Sequence, residues 1–410
     1  MKSPRILAVA YGGGHIAMVL PVMRALRERV PGVHIDLIAL TTAYAAAIAS
    51  GERPIRYADL LHLIDRDRAL AYGRSLPNNQ IHPEVGEEET LAYIGANYLD
   101  LVEQLGETTA GQLYSTNGRY SFRPLNFFRA VVEYLKPDLI LATNSPRSEE
   151  AAIEVGIRMG IPTLSMVDLF VPSRDLYLRR RFFADVITVL DEKVKKNLVT
   201  IGIPASSVHV TGNPAFDGLR LTTRQQAADA FLSRMGWHGK QVVLWAGHID
   251  DYSSTTVDLA KATAYPRAVE AELVNWVNSR DDRALIVRYH PNENQHFPEQ
   301  PFHPRIFRST SLQHVHEAIL AADVVVVQMS TVGLESATAG KPVVALYNSP
   351  SSQAFKFNYE ALGVAYGCPD IDQLPAAIER AALGGCVYKG SRLPPAGPLI
   401  ADLGLRLVRS

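Results

Sequence analysis

Short apolar runs rich in valine, isoleucine and leucine alternate along this chain with longer stretches of helical spacing, and this alternation limits the available folds most strongly. The clearest runs are Ile6–Tyr11, Pro137–Ala142, Gln241–Ala246 and Val324–Val327. Runs that are apolar at nearly every position suit strands buried on both faces, as in a parallel sheet covered by helices. The sequence therefore predicts an α/β architecture built on parallel sheets.

The alternation stops and then starts afresh in the middle of the chain, which predicts two domains. At about 150 residues a domain, 410 residues suit two or three domains. We expect Rossmann-like, doubly wound domains over 1–215 and 216–385, a tail helix over 386–410, and an insertion in the first domain at about 50–125. Two such domains would face a cleft, with ligands at the carboxyl ends of their strands.

Composition excludes several classes of protein. With 41 basic and 42 acidic residues, the net charge of −1 gives no sign of nucleic-acid binding. Cys368 and Cys386 are too few for a disulfide framework or a four-cysteine zinc site. Neither H-E-x-x-H nor C-x-x-C occurs, and we expect no metal and no cofactor. No run reaches the roughly 18 apolar residues of a membrane span. We expect a cytoplasmic protein. The basic and aromatic cluster Leu178–Phe183 is compatible with peripheral contact with the inner membrane.

Three glycines and a histidine follow the first predicted strand, and a helix follows them. Gly12, Gly13 and Gly14 let the backbone approach a ligand closely and point N–H groups at it, which suits a phosphate, a pyrophosphate or a sugar. His15 would stand at the mouth of this turn as a candidate general base. The alternative is a tight strand-to-helix turn without a ligand, and the G-x-G-x-x-G dinucleotide spacing is not met.

The second predicted domain carries histidines after two neighbouring strands. His248 lies in Trp245–Asp251, after the first strand, and Arg288 and His290 lie in Arg288–Glu293, at the end of the next. An imidazole or a guanidinium at these places can donate hydrogen bonds to phosphate oxygens. We expect both histidines to stabilise departing phosphates, and the alternative is that each is a structural residue in a turn.

The longest motif joins a buried strand to a helix at Ser330. Ser330 and Thr331 are suited to begin a helix, and the free N–H groups at a helix start suit a pyrophosphate. Glu335 lies one turn later, where its carboxylate could accept hydrogen bonds from both hydroxyls of a ribose. The alternative is a helix cap followed by an exposed glutamate.

Together these motifs resemble those of the GT-B superfamily of nucleotide-sugar enzymes. Gly12–His15 resembles the N-terminal loop of the lipid II-forming N-acetylglucosaminyltransferases. Thr211–Asp217 and Ser330–Pro342 resemble segments found both in GT-B transferases and in UDP-N-acetylglucosamine 2-epimerases. The resemblance implies that Glu335 holds the ribose and that Asn213 and Gln353 belong to the nucleotide-sugar site, although Val210–Asp217 also reads as a domain hinge.

The resemblance leads us to expect a metal-independent glycosyltransferase of bacterial-type glycan or glycolipid synthesis. Its donor would be a nucleotide sugar, most simply a UDP-sugar held by the second domain, and its acceptor a glycan, a lipid-linked sugar or a small molecule. Gly247–Asp250 and Gln328–Thr331 differ from the matching epimerase segments. The alternatives are a nucleotide-sugar 2-epimerase, the hydrolysing kind included, and a non-catalytic partner subunit that binds nucleotide sugar.

Overall fold

The chain forms two compact units, and each is built around its own parallel sheet. The first unit contains Met1–Asp217 and Leu393–Ser410, and the second contains Gly218–Arg392. The computed structural model describes residues 3–76, 85–171, 175–250, 258–290, 293–297, 301–310 and 312–409.

Among the described residues, the first unit contains the first six strands, nine α-helices that follow or separate them, and the last α-helix of the chain. Its strands are β1 Arg5–Tyr11, β2 His34–Leu40, β3 Leu139–Thr143, β4 Thr163–Met166, β5 Val186–Val189 and β6 Val208–Val210. Its α-helices are α1 Gly13–Arg29, α2 Thr42–Ala49, α3 Tyr57–Leu60, α4 Arg66–Ser75, α5 Glu87–Leu105, α6 Glu107–Asn117, α7 Leu125–Leu135, α8 Ser148–Met159, α9 Glu192–Thr200 and α16 Ala396–Arg409. Short 3-10 helices are Leu61–Leu63, Gly118–Ser121, Leu176–Arg179 and Pro214–Arg220.

The sheet of the first unit has the strand order β2-β1-β3-β4-β5-β6, and all its pairs are parallel. A further parallel bridge joins Ile38 of β2 to Ile55, where a seventh strand would lie. The chain moves outward from β1 in one direction, through β2, and then returns to β1 and continues in the other, through β3. The order therefore reverses between β1 and β3, and such reversals are where doubly wound sheets bind their ligands.

The second unit repeats this plan with strands that also pair only in parallel. Its strands are β7 Gln241–Gly247, β8 Arg283–Tyr289, β9 Ile306–Arg308, β10 Val324–Val327, β11 Val343–Leu346 and β12 Tyr366–Cys368. Its α-helices are α10 Thr222–Met235, α11 Leu259–Asn278, α12 Val315–Ala321, α13 Thr331–Thr338, α14 Pro350–Phe355 and α15 Leu374–Gly384, with 3-10 helices at Asn294–His296, Ile371–Gln373 and Lys389–Arg392. The strand order is β12-β11-β10-β7-β8-β9, the Rossmann order, and it reverses between β7 and β10.

The prediction of two Rossmann-like α/β domains with doubly wound parallel sheets is confirmed. The inner strands are buried along nearly their whole length because helices cover both faces of each sheet; Val324, Val325, Val326 and Val327 of β10 are all 0% exposed. None of the helices in the described parts of the chain combines the length and the apolar character that crossing a membrane requires.

Two segments differ from the predicted organisation. α1 begins at Gly13, so Gly13, Gly14 and His15 form its first turn and do not belong to an open loop. α16, expected within a separate tail from residue 386, packs against α1 in the first unit. The carboxylate of Asp217 accepts hydrogen bonds from the backbone N–H groups of Ala396 and Gly397, both at 2.7 Å, and so fixes the start of α16.

The insertion expected at about 50–125 contains a helix pair that only glycine allows to pack so closely. A Cβ atom placed on Gly95 of α5 would lie 1.9 Å from the carbonyl oxygen of Ala69 in α4, and one on Gly73 would lie 2.4 Å from the carbonyl of Leu91. Backbone atoms cannot move aside as a side chain can. The contact between α4 and α5 therefore depends on these two glycines.

We predict that Gly95→Ala forces α4 and α5 apart and lowers the free energy of unfolding by about 1–3 kcal/mol, the usual range for overpacking. Gly111→Ala in α6 is the matched control, because its Cβ would meet only the Tyr98 hydroxyl at 3.6 Å. Alanine inside a helix should then stabilise by about 0.5–1 kcal/mol. Urea denaturation of the three proteins measures both effects, and equal midpoints for Gly95→Ala and wild type would contradict the prediction.

Candidate functional site

The second unit holds a cavity of about 540 Å³ at the carboxyl ends of its strands. This is the volume of a pocket for a small molecule. The residues that line it are Ala246, Gly247, His248, Arg288, Tyr289, His290, Glu293, Val315, Met329, Ser330, Thr331 and Val332. The structure thus brings together five residues expected from the sequence, namely His248, Arg288, His290, Ser330 and Thr331. The neighbouring Asp251, Pro291 and Asn292 lie outside the described residues.

Gln328 lies next to the lining residue Met329, at the point where the strand order reverses. It is 1% exposed and directly follows β10. Its Oε1 accepts a hydrogen bond from the His248 N–H after β7 at 3.3 Å, and its Nε2 donates to Asp250 Oδ2 at 2.8 Å. Asp250 in turn accepts from the Ser351 N–H at 3.0 Å. One amide therefore holds two neighbouring loops in place.

Helix α13 points its N-terminal end at the cavity. Ser330 is its N-cap residue, as predicted, and its hydroxyl accepts a hydrogen bond from the Val332 N–H at 3.3 Å. The first N–H groups of a helix have no carbonyl partner within the helix, and they carry the positive end of its dipole. The arrangement of Ser330, Thr331 and this helix end suits a diphosphate.

Arg288, near the end of β8, is held in place by the segment that follows β9. Its Nη1 donates to Ser309 Oγ at 2.6 Å and to the carbonyl oxygens of Thr310 and Gln313, both at 2.9 Å. Burial lowers the pKa of Arg288, and the negative charge of Glu335 acts against this. A guanidinium remains charged under these conditions, so Arg288 presents a fixed positive charge to the cavity.

Glu335 and Gln353 lie outside the set of residues that line the cavity. Glu335 Oε2 is 3.2 Å from Nε2 of His316, on the preceding helix, and its side chain is 14% exposed. Gln353 donates to the Tyr347 carbonyl at 3.0 Å and to Asn348 Oδ1 at 2.9 Å. The ribose role of Glu335 and the sugar role of Gln353 stay predictions.

In the first unit, a buried carboxylate, Glu149, joins the ends of β1 and β3. Its side chain is 0% exposed. It accepts hydrogen bonds from the Tyr11 N–H at 2.7 Å, from the Ser145 N–H at 3.1 Å and from the Thr143 hydroxyl. The carboxylate therefore lies at the reversal point of the sheet, with its oxygens saturated by donors.

His15 lies against this carboxylate. Its Nδ1 is 3.3 Å from Glu149 Oε1 and also contacts the Thr143 hydroxyl. The oxygens of both partners accept a hydrogen bond from Nδ1, so Nδ1 carries the hydrogen. The other ring nitrogen, Nε2, can then exchange protons. Burial lowers the pKa of His15, but the hydrogen bond and charge of Glu149 and the charge of Asp168 outweigh it, and the pKa is raised above its usual value.

Asn213, expected in a nucleotide-sugar site, instead ties two loops of the first unit together. Its Nδ2 donates to the Asp168 carbonyl at 2.8 Å and its Oδ1 accepts from the Ala215 N–H at 2.9 Å. Asn144 and Asp168 exchange two further hydrogen bonds, at 3.0 and 3.2 Å. Its binding role stays a prediction, and its contacts in this unit suit a hinge.

Two of the three N–H groups of the glycine segment are already used. The Gly12 N–H donates to the Leu40 carbonyl at 3.1 Å, and the Gly13 N–H donates to the Thr42 hydroxyl at 3.0 Å. Gly12 has a φ of 82°, which a side chain would strain. This geometry favours the strand-to-helix turn that was the alternative interpretation of Gly12, Gly13 and Gly14.

Sequence reasoning missed Glu149, Asp168 and Gln328 as site residues. Glu149 follows the third strand in an acidic helix start, Asp168 lies two residues beyond β4, and Gln328 directly follows β10. All three positions meet the rule that ligand sites gather at the carboxyl ends of parallel strands. Applying this rule to every strand would have found them.

We predict that Glu149→Gln lowers the pKa of His15 relative to wild type, because only the charge of Asp168 then acts against burial. The raised pKa of wild-type His15 means that protonation stabilises the folded state. That contribution is fully present below the unfolded pKa and is lost as the pH rises through the folded pKa. An NMR titration of ¹⁵N-labelled histidine measures the shift.

Glu150→Gln is the control for this titration, because Glu150 lies next in the chain but faces Arg180, 3.5 Å from its Nε. In the Glu150→Gln variant, the His15 signal should titrate as in wild type. A His15 pKa that is the same in Glu149→Gln and wild type would show that the ion pair does not set the protonation of His15.

Comparisons with known proteins bear on both units. The family model for UDP-N-acetylglucosamine 2-epimerase matches residues 181–366. The UDP-GlcNAc 2-epimerase structure from Methanocaldococcus jannaschii has a TM-score of 0.62 at 14% identity and covers 97% of this chain and 99% of its own. The Neisseria meningitidis enzyme, solved with UDP-GlcNAc, has a TM-score of 0.57 at 14% identity and covers 98% of this chain and 100% of its own.

A third similar structure is the glycotransferase of kitacinnamycin, with a TM-score of 0.55 at 15% identity over 99% of this chain and 100% of its own. No curated protein sequence matches the chain. In the described ranges, no group of three or more histidine, cysteine, aspartate or glutamate side chains is placed to hold a metal ion.

These findings correct the expected function. Transfer of a sugar to an acceptor was the main prediction and it is wrong, because the matching family model and the epimerase structures point to the 2-epimerase alternative. The differences at Gly247–Asp250 and Gln328–Thr331 that counted against an epimerase were given too much weight. The chain has two six-stranded parallel sheets with flanking helices, and its likeness to these neighbours shows that it has the GT-B fold.

Proposed function

We propose that this protein interconverts UDP-N-acetylglucosamine and its epimer at C2. One observation carries the proposal: the cavity of the second unit lies wholly inside the segment that matches the 2-epimerase family model. Its lining runs from Ala246 to Val332, and the match from residue 181 to residue 366. The matched segment is therefore the one with the pocket, the helix end and the fixed positive charge.

In this proposal the cavity holds the UDP part of the substrate. The N-terminus of α13, with Ser330 and Thr331, receives the diphosphate, and Arg288, His248 and His290 donate to its oxygens. Glu335 takes the ribose hydroxyls, with its second oxygen held by His316. Positive groups at the diphosphate favour its departure from the sugar, because negative charge develops on the leaving oxygen.

Departure of UDP matters because the proton on C2 is not acidic in the intact sugar. No carbonyl is attached to C2 within the ring, so the carbanion would have no stabilisation. If the C1–O bond to the diphosphate breaks as the proton leaves, the C2–H electrons form a C1=C2 double bond and UDP takes the C1–O electrons. Return of a proton to the opposite face of C2, with UDP bonding again to C1, gives the epimer.

We assign proton transfer at C2 to His15. Its Nε2 is the ring nitrogen left for exchange, while Nδ1 is held by Thr143 and Glu149. A partly exposed imidazole with a pKa raised by a carboxylate partner can hold or release a proton near neutral pH. Its side chain is 23% exposed, so a substrate could reach it.

We predict that UDP-N-acetylglucosamine alone, with no acceptor present, is converted to a mixture with its C2 epimer, which ¹H NMR of the anomeric protons detects. His15→Ala should lower the rate by roughly 10²–10⁴-fold, the contribution of a general acid or base. His34→Ala is the control, since His34 is exposed on β2 and its Nε2 pairs with Asp36 at 3.0 Å. Substrate that binds but stays unchanged would contradict the proposal and favour the non-catalytic alternative.

We also predict that UDP raises the melting temperature and that ADP does not. At about 100 times its dissociation constant, a ligand adds about 2.7 kcal/mol of stability. Glu335→Gln should abolish most of the UDP shift. Glu317→Gln is the matched control, because Glu317 is a glutamate of the same unit that pairs with Arg224 at 2.7 Å and has no part in the proposed ribose site. A full UDP shift in Glu335→Gln would remove Glu335 from the ribose site.

A further inference from the structure

The first unit has a cavity of its own, of about 270 Å³, that the proposed reaction leaves without a role. It lies between the ends of β1 and β2 on one side and α5 and the 3-10 helix Gly118–Ser121 on the other. Its lining residues are Tyr11, Leu40, Thr41, Thr42, Val85, Glu89, Thr90, Tyr93 and Arg119. The volume is below the roughly 300–1,000 Å³ of drug-sized pockets and suits a single ring.

Tyr93 lines this cavity, and its buried hydroxyl lies close to Arg147. The residue is 6% exposed, and no hydrogen-bond partner for its Oη is present among the described residues. Burial raises the pKa of Tyr93 to about 12, so the hydroxyl keeps its proton and is a hydrogen-bond donor. A buried polar group without a partner is costly, and such groups usually meet a ligand or a water molecule.

Arg147 places an uncompensated charge beside the same tyrosine. Its guanidinium lies 4.5 Å from the centre of the Tyr11 ring and 5.9 Å from that of Tyr120, and its Nε is buried without a hydrogen bond. Within the described ranges no carboxylate forms a salt bridge with it, and the ionisable groups nearest to it are tyrosines. Its backbone φ of 71° is strained for a residue with a side chain, and such strain gathers at binding sites.

The charges around the Tyr93 hydroxyl are mostly positive. Arg119 lines the cavity, and the charges of Arg147 and Arg119 both act to lower the pKa of Tyr93. The one carboxylate in the lining, Glu89, is engaged by the N–H groups of Tyr57 and Ala58, each at 3.0 Å. Burial raises the pKa of Glu89 to about 7, so its negative charge is partly lost near neutral pH.

We propose that this cavity binds a carboxylate or phosphate group carried by a single sugar ring. Tyr93 and Arg119 would donate hydrogen bonds to the anion, and Arg147 would supply a second positive charge beside it. The Tyr11 ring and the threonine hydroxyls suit the apolar face and the hydroxyls of a sugar. The proposal stands apart from the reaction at C2, because it concerns binding in the first unit alone.

The test is calorimetric titration of the full chain with glucuronate, glucose 6-phosphate, glucose and inorganic phosphate. At least one charged sugar should bind about tenfold or more tightly than glucose, since a hydrogen bond to a charged group contributes about 1.5–3 kcal/mol. The tighter of the two charged sugars identifies the anion as carboxylate or phosphate. Tyr93→Phe and Arg147→Met should each weaken that binding by about tenfold or more.

Tyr57→Phe is the matched control, because its buried hydroxyl contacts Ser148 Oγ at 2.9 Å and lies outside the cavity lining. It should bind the charged sugar as wild type does. If Arg147→Met does not fold, Tyr93→Phe still decides, since the atom it removes has no partner among the described residues. The proposal would be overturned if glucose, or inorganic phosphate alone, bound as tightly as the charged sugar. It would also be overturned if Tyr93→Phe bound the charged sugar as tightly as wild type does.

Discussion

The buried carboxylate of Glu149 is the interaction on which the first unit's candidate site depends. The backbone N–H of Tyr11, at the end of β1, donates to it from 138 positions away in the sequence. The backbone N–H of Ser145, beyond β3, donates to it from 4 positions away. The two strands where the sheet order reverses are thereby joined at their carboxyl ends. A charge so deeply buried requires compensation, and the donors around it, together with His15, supply it.

In the second unit, an amide takes the place of the carboxylate at the point where the strand order reverses. Gln328 joins the ends of β7 and β10, but its partners are a backbone N–H at His248 and the carboxylate of Asp250. An amide can accept from the first and donate to the second, which a carboxylate cannot do. Each group therefore fits its neighbours: Glu149 raises the proton affinity of an imidazole, whereas Gln328 shapes a pocket without adding a charge to it.

The sequence predicted what local patterns determine and missed what long-range contacts determine. Uniformly apolar runs predicted the strands of both sheets, and Ser330 signalled the start of α13 because capping is a local interaction. The contact between Glu149 and His15 could not be recognised in this way, since only folding brings the two side chains together. The predicted activity was wrong because the motifs on which it rested describe how a nucleotide sugar is held, and transfer and epimerisation share that requirement.

The central claim is that this protein removes and returns the proton on C2 of a UDP-linked N-acetylhexosamine. The most direct measurement is incubation with UDP-N-acetylglucosamine in D₂O, followed by mass spectrometry and NMR of the recovered sugar nucleotide. The account predicts one deuterium, located at C2, with a rate of incorporation that falls in His15→Ala. Recovery of an epimer without deuterium would show that the C2 proton never exchanges with solvent, and recovery of unlabelled starting material would show that no proton is removed; either result would contradict the account.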